Sequence, residues 1–417
     1  MNKIAIALLA AMSYTTQLDA QRALIVTTDF STGSVSVIDT QTRSADNDLL
    51  LIHGDAKVRA FGDRVYVLNR LGQDNIIVLS KDDLTTPIIQ YSTGNGSNPH
   101  EIAVLSSSRA YVTLYERDYL LIINPTTGDS LGAIDLSAFS DDDGLPETSQ
   151  MAMFGDHLFI AAQRLNRNAF FSPTEFSAIV VVDMQTDTLV DMDPDTDGIQ
   201  GIVLEGTQPF GHAQRGGRWI FSTVGSFGVQ DGGLEVVNLM TMETEGRILT
   251  EEALGGDVGP LAMLTDDEGY VVLTDENFAN SVKQFNLATG FVSEILPDHS
   301  GGFTPAISVI GSELYVLDRG SFTDPASAGI KIYDASTNTL TAGPISTGLP
   351  PSDIIFVDVR AGDFDGDNDV DFDDFLAFAG AFGKQMGGDG YDSRYDLIPD
   401  GTVGFTDFPV FAEGFGK

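Results

Sequence analysis

Between residues 363 and 374 the chain sets aspartate at almost every second position: Asp363, Asp365, Asp367, Asp369 and Asp371, closed by Asp374. Counted as a twelve-residue loop, they occupy positions 1, 3, 5, 7, 9 and 12. Carboxylates at 1, 3, 5, 9 and 12, with the Asp369 carbonyl at 7, make an oxygen-only donor set. Such a set suits a hard cation that takes about six to eight oxygens, and the spacing predicts calcium, Ca2+. Asn368 stands at position 6, where glycine is usual, and asparagine tolerates the left-handed backbone this turn needs. A second copy lies 33 residues on, with Asp396, Asp400 and Asp407 at positions 1, 5 and 12. Ile398 and Gly404 replace its ligands at 3 and 9, so one strong and one weak or vacant site are expected. A third acidic run, Asp193, Asp195 and Asp197 before Gly198, resembles the start of such a loop. Its position 12 is Leu204, and it reads equally as a solvated turn.

A different chemistry is carried by imidazole and guanidinium. His53, His100, His212 and His299 fall just before or at the start of apolar segments, while Arg70, Arg117, Arg164 and Arg319 follow others, with Asp275 and Glu276 at the equivalent place once. Four of 15 arginines at one repeated position is the pattern of an anion-binding ring, suited to a uronic acid or carboxylate. The competing reading has these arginines paired with nearby Asp and Glu, and the histidines as ordinary loop residues.

The elements that must position these side chains recur. A short strand with an aromatic or branched residue is followed by a second that closes near Asp or Asn. The first strands hold Leu24-Ile25-Val26, Tyr66-Val67, Tyr111-Val112, Phe159-Ile160, Trp219-Ile220, Tyr270-Val271 and Tyr315-Val316. The second close at Ile38-Asp39, Leu79-Ser80, Ile123-Asn124, Val182-Asp183, Val237-Asn238, Phe285-Asn286 and Tyr333-Asp334. Alternation such as Ser34-Val35-Ser36-Val37-Ile38 specifies strand, and the spacing is that of four-stranded blades. The fold class is therefore mainly β, a seven-bladed propeller. Most copies are preceded by a proline and an apolar strand, as at Pro99, Pro260 and Pro305, but the first is not. The unpaired strand after Pro351 is expected to complete the first blade and close the ring. Insertions at 165–176 and 225–233 lengthen the fourth and fifth blades. The repeats resemble the YVTN family of seven-bladed propellers, a likeness that implies a fold and no activity. On a propeller, the starts of inner strands and the ends of the next strands share one face, which would bring the histidines and arginines to the channel mouth.

Beyond residue 357 the composition changes: residues 361–417 hold twelve Asp and one Glu against three basic residues, a net of −10. Phe375, Phe378 and Phe382 repeat as Phe408, Phe411 and Phe415, one apolar face of a short helix in each copy. Two units of EF-hand-like loop and helix, each too small to bury its face alone, resemble the type I dockerin module. That resemblance implies a cohesin-like or other cell-surface or extracellular partner. The recognition positions hold Phe372-Asp373 and Phe405-Thr406 instead of a hydroxyl pair, a departure from that family.

Sixty-one acidic against 22 basic residues give a net charge of −39, which excludes nucleic acid as a general partner and disfavours anionic membranes. Cysteine is absent, so disulfides and thiol chemistry are excluded. Lys3, the apolar run from Ile4 to Met12 and Leu18-Asp19-Ala20 form a signal peptide, and no segment predicts membrane insertion. The organisation read from this is 1–20 signal, 21–357 propeller and 358–417 calcium module. The protein is expected to be secreted, extracellular and attached to the cell surface through its tail.

The leading reading is a non-catalytic binding or scaffold protein. One alternative is a lyase or hydrolase acting on an acidic polysaccharide at the channel mouth; another is a surface-layer or filament subunit. Carboxylate pairs are too abundant to single out an acid and base, so no catalytic residue is assigned. Chelation with EGTA at low salt is expected to unfold the tail before the propeller; a tail indifferent to EGTA would remove the metal reading.

Overall fold

The computed structural model describes residues 21–321, 323–357, 361–364 and 370–416. Residues 1–20, the expected signal segment, and Asp365, Asp367 and Asp369 lie outside the described residues. Seven antiparallel sheets of four or five strands follow one another along the chain. Each expected pair forms the second and third strands of a sheet, from Arg22–Thr28 with Thr32–Asp39 to Glu313–Asp318 with Gly329–Asp334. These two rows are the most buried, because sheets stacked face to face cover both surfaces of their central strands. Hydrophobic clusters run between neighbouring blades, as where Tyr111 and Leu120 of the third pack with Leu158 and Val180 of the fourth.

The Asp or Asn that closes the third strand in six of the seven blades has a local cause. Asp39, Asp183, Asn238, Asn286 and Asp334 accept the backbone N–H three residues on at 2.7–3.1 Å, which starts the turn to the outer strand. The next residue must be left-handed, and Gly128 and Gly290 supply this without cost, while Arg43, Asp187 and Asn338 adopt it with a side chain. Those side chains are used. Tyr111 of the third blade donates to Asp187 of the fourth at 2.8 Å, Tyr270 to Asn338 of the next blade at 2.7 Å, and Arg43 donates to Tyr315 across the closure at 2.5 Å. The buried tyrosine of the repeat thus ties one blade to the turn of the next.

Pro351–Val357 pairs antiparallel with Arg22–Thr28 and becomes the innermost strand of the first blade, as expected. The insertion at 165–176 folds as a small hairpin, Leu165–Asn166 with Ser172–Pro173.

The tail forms two helices, Phe372–Ala381 and Phe408–Gly414. Its copies are related by reciprocal backbone bonds: Gly383 N–H to the Val403 carbonyl and Gly416 N–H to the Val370 carbonyl, both 2.7 Å. Phe378 and Phe411, equivalent in the two copies, stack with centroids 5.3 Å apart and planes 3° from parallel. Phe364 stacks on both, and Val370 and Val403 are fully buried beside them. Neither copy has a core without the other. No helix among the described residues is long and apolar enough to cross a membrane.

Ile354 sits in the closing strand against the core shared by the seventh and first blades. Ile354→Ala is expected to lower unfolding free energy by about 2–5 kcal/mol. Urea titration checks this, and a loss under about 1 kcal/mol would mean the closing strand is dispensable.

Candidate functional site

Inner strands place alternate side chains into the channel. In Ala56–Phe61 the residues Ala56 and Val58 face the core, which leaves Lys57 and Arg59 for the channel side. Arg59 lies between Glu101 of the third blade and Asp353 of the closing strand; its Nε donates to Glu101 at 2.6 Å and its Nη1 to Asp353 at 3.3 Å. Lys57 reaches the same Asp353 at 3.4 Å, and the Val58 N–H donates to it at 3.0 Å. Burial pushes the Asp353 carboxyl up, but Lys57 and Arg59 more than offset this and hold it below its ordinary range. Each charge in this wall is therefore met by an opposite one.

His212, in the inner strand of the fifth blade, accepts the Trp219 indole N–H on Nδ1 at 3.0 Å. Burial, with Arg59 and Lys57 nearby, pushes its pKa down to about 3, so it is a neutral imidazole. His212, Arg59, Glu101, Met151 and Met153 line a cavity of about 740 Å³. Its lower wall is contributed by the tail, through Ser393, Asp396, Ile398, Pro399 and Asp400. The tail is held there by Ser393 Oγ donating to Asp266 at 2.6 Å and the Gly155 N–H donating to the Pro399 carbonyl at 3.3 Å. Contact is close: a Cβ added to Gly217 would lie 2.4 Å from the Met386 sulphur.

At the opposite mouth the predicted set is brought together in part. His53 Nδ1 accepts the Asp55 N–H at 3.2 Å, Arg70 pairs with the Asp55 carboxylate, and Arg70 Nη1 lies 3.2 Å from His100 Nε2. His100 stacks on Tyr115 with centroids 4.2 Å apart, and Tyr115 donates to Gln163 at 2.8 Å. Burial first, then Arg70 and Lys57, push His100 well below its ordinary pKa. The other members are engaged separately. Arg117 donates to the Asn95 and Glu116 carbonyls, Arg319 to the Thr28 and Pro351 carbonyls, and Arg164 lies over the Phe176 ring. His299 bonds Thr304 and the Gly301 N–H, and burial pushes its pKa down. The guanidinium donors of Arg70, Arg117 and Arg319 are thus spent on internal partners, and burial pushes His100, His212 and His299 toward the neutral imidazole.

An acidic pocket missed in the sequence lies between the third and fourth blades. Carboxylate oxygens of Asp141, Asp143 and Glu147 lie within 4.8 Å of one another. Arg167, from the hairpin insertion, enters this group; its Nε donates to Glu147 at 2.9 Å and its backbone N–H to Asp143 at 3.0 Å, while its Nη1 pairs with Glu116. The insertion therefore brings its own counter-charge to the cluster.

In the tail, Asp374 is buried and its two oxygens accept the Phe364 N–H at 2.6 Å and the Asp371 N–H at 2.9 Å. Asp407 repeats this, accepting the Ile398 and Gly404 N–H groups at 2.8 and 2.7 Å. In both loops the closing carboxylate faces its own loop, and the donors there are oxygens, a chemistry that fits a hard cation. In the second loop Asp396 is tied to the Gly401 N–H and the Tyr391 hydroxyl, and Asp400 to Thr406. Asp396, Asp400 and Asp407 do not form a convergent carboxylate triad; among the described residues Asp141, Asp143 and Glu147 do. Asp193, Asp195 and Asp197 lie in an exposed turn.

No protein-family profile matches the chain, and no curated protein matches it. Among solved structures it is similar to a putative 6-phosphogluconolactonase from Bacteroides uniformis, with 14% identity and a TM-score of 0.56 over 81% of this chain and 100% of that one. A putative 6-phosphogluconolactonase from Bacteroides fragilis gives 14% identity and a TM-score of 0.51 over 82% and 99%. These likenesses show the propeller fold alone.

The Glu147 carboxyl is pushed up from 4.5 to about 7, chiefly by burial. Between those values the folded chain keeps a proton the unfolded chain has released, so this group makes stability fall as pH rises. Glu147→Gln should narrow the difference in Tm between about pH 5 and about pH 8; an unchanged difference would place the carboxyl at its ordinary pKa.

Proposed function

We propose that the protein is a secreted, non-catalytic binding protein whose propeller presents its channel-mouth face to a ligand or partner. In this reading its YVTN-type blades are a scaffold and its dockerin-like tail attaches it, with calcium, to an extracellular or cell-surface assembly. The observation that carries the tail's part is the pair of reciprocal bonds between Gly383 and Val403 and between Gly416 and Val370. They tie each helix end to the other copy's loop, so ordering a loop orders the whole module. Asp363, Asp365, Asp367, Asp371 and Asp374, with the Asp369 carbonyl, would hold the ion in the first loop. A bound cation there supplies the cross-link that a chain without cysteine lacks.

The channel chemistry favours binding over catalysis. Its carboxylates and guanidinium neutralise one another, and its imidazole is neutral and engaged by Trp219. Such a wall offers fixed polar contacts beside Met151 and Met153.

Immobilised full-length protein should capture cell-surface or matrix components in calcium and release them in EGTA, and Asp363→Ala with Asp374→Ala should behave like chelation. Capture indifferent to both treatments would sink the docking role.

A further inference from the structure

On the channel-mouth face, the connection between second and third strands carries an exposed apolar side chain in five blades: Phe30, Leu71, Phe170, Phe227 and Phe278. Phe227 and Phe278, from neighbouring blades, are stacked on each other in solvent, with centroids 5.5 Å apart and planes at 16°. They remain 54% and 73% exposed. Leaving two phenyl rings in water forgoes about 1.5–3 kcal/mol each, so their position needs a reason. The turns that hold them are tightly bonded. The Ser226 N–H donates to Asp231 and the Gly228 N–H to Asp257, both at 2.9 Å; the Asn277 and Ala279 N–H groups donate to Asp275 at 2.8 and 2.9 Å.

The charge under and around the pair has one sign. Asp231, Glu251, Asp257, Asp275 and Glu276 lie in these turns or directly beneath them, and among the described residues none of them pairs with lysine or arginine. Lys283 of the same blade donates to the Leu254 carbonyl instead. Burial raises the Asp257 and Glu251 carboxyls, and Asp231 raises both further.

We infer that the Phe227–Phe278 pair is the docking site for a cationic segment of a partner protein, a lysine or arginine side chain seated on the outer ring faces beside the exposed carboxylates of Asp231, Asp275 and Glu276. The inference rests on the reading of this face as a binding face and names the chemistry of its partner.

The test is a fluorescence-anisotropy titration of the full-length protein, in calcium and about 0.15 M salt, with a short labelled peptide alternating lysine and glycine. The same peptide with glutamate for lysine is the control. The parent should bind the lysine peptide and not the glutamate one. Phe227→Ala with Phe278→Ala should weaken binding about tenfold. Asp275→Asn with Glu276→Gln should weaken it and flatten its salt dependence. Asp193→Asn with Asp195→Asn, which removes as much charge from a turn outside this cluster, should leave it unchanged, and near-UV dichroism would check each fold. Equal affinity in all four proteins would overturn the proposal, since the peptide would then be following net charge. Competition by a neutral oligosaccharide in preference to the peptide would also overturn it and make the rings a sugar platform. Calcium-dependent capture that persists when the peptide fails would sink this site and leave the wider function standing.

Discussion

The backbone ladder between Pro351–Val357 and Arg22–Thr28 turns seven sheets into a ring, and other features depend on it. Without it Arg22–Thr28 would be an open edge and the core shared by the seventh and first blades would lose Ile354. The same strand delivers Asp353 to Lys57 and Arg59, so the channel wall is neutralised only when the ring is shut. Arg319 works from the other side, donating to carbonyls of both strands at the seam. Closure and channel chemistry are thus one assembly step, joined across almost the whole length of the chain.

The net charge of −39 is distributed by purpose. About ten units sit in the tail, where closing aspartates already hold their loops through backbone N–H groups. Others are spent locally, as where Asp39, Asp183 and Asp334 accept N–H groups of their own turns and are held below their ordinary pKa. A third portion, around Phe227 and Phe278, is left uncompensated by the protein itself. Self-repulsion among these groups is relieved within about 8 Å at physiological ionic strength.

The blades were legible because their causes are local. Two-residue alternation marks a strand, and an Asp or Asn followed three residues later by Thr marks the turn that leaves it. The closing strand was legible by subtraction, since one blade lacked its first strand and one strand lacked a blade. The destinations of the charged side chains were not legible. Arg70 and His100 meet, yet Arg117 and Arg319 at equivalent positions spend their donors on carbonyls. Which acceptor lies within reach is decided by blade-to-blade distances that spacing does not encode. A usable signal was passed over in Lys57 and Arg59, two charges at alternate positions of an otherwise apolar strand. The seat of the tail could not be read at all, because Ser393 and Asp266 are 127 residues apart and neither belongs to a motif.

That seat changes the hollow on this side of the propeller. Ile398, Pro399 and Asp400 of the tail line the cavity together with the inner strands of four blades. One stretch of its lining therefore belongs to the loop that starts at Asp396, whose carboxylate is already shared between a backbone amide and a phenol. A solute held in the cavity would touch the propeller and the tail at once, so its retention and the placement of that loop are a single mechanical variable.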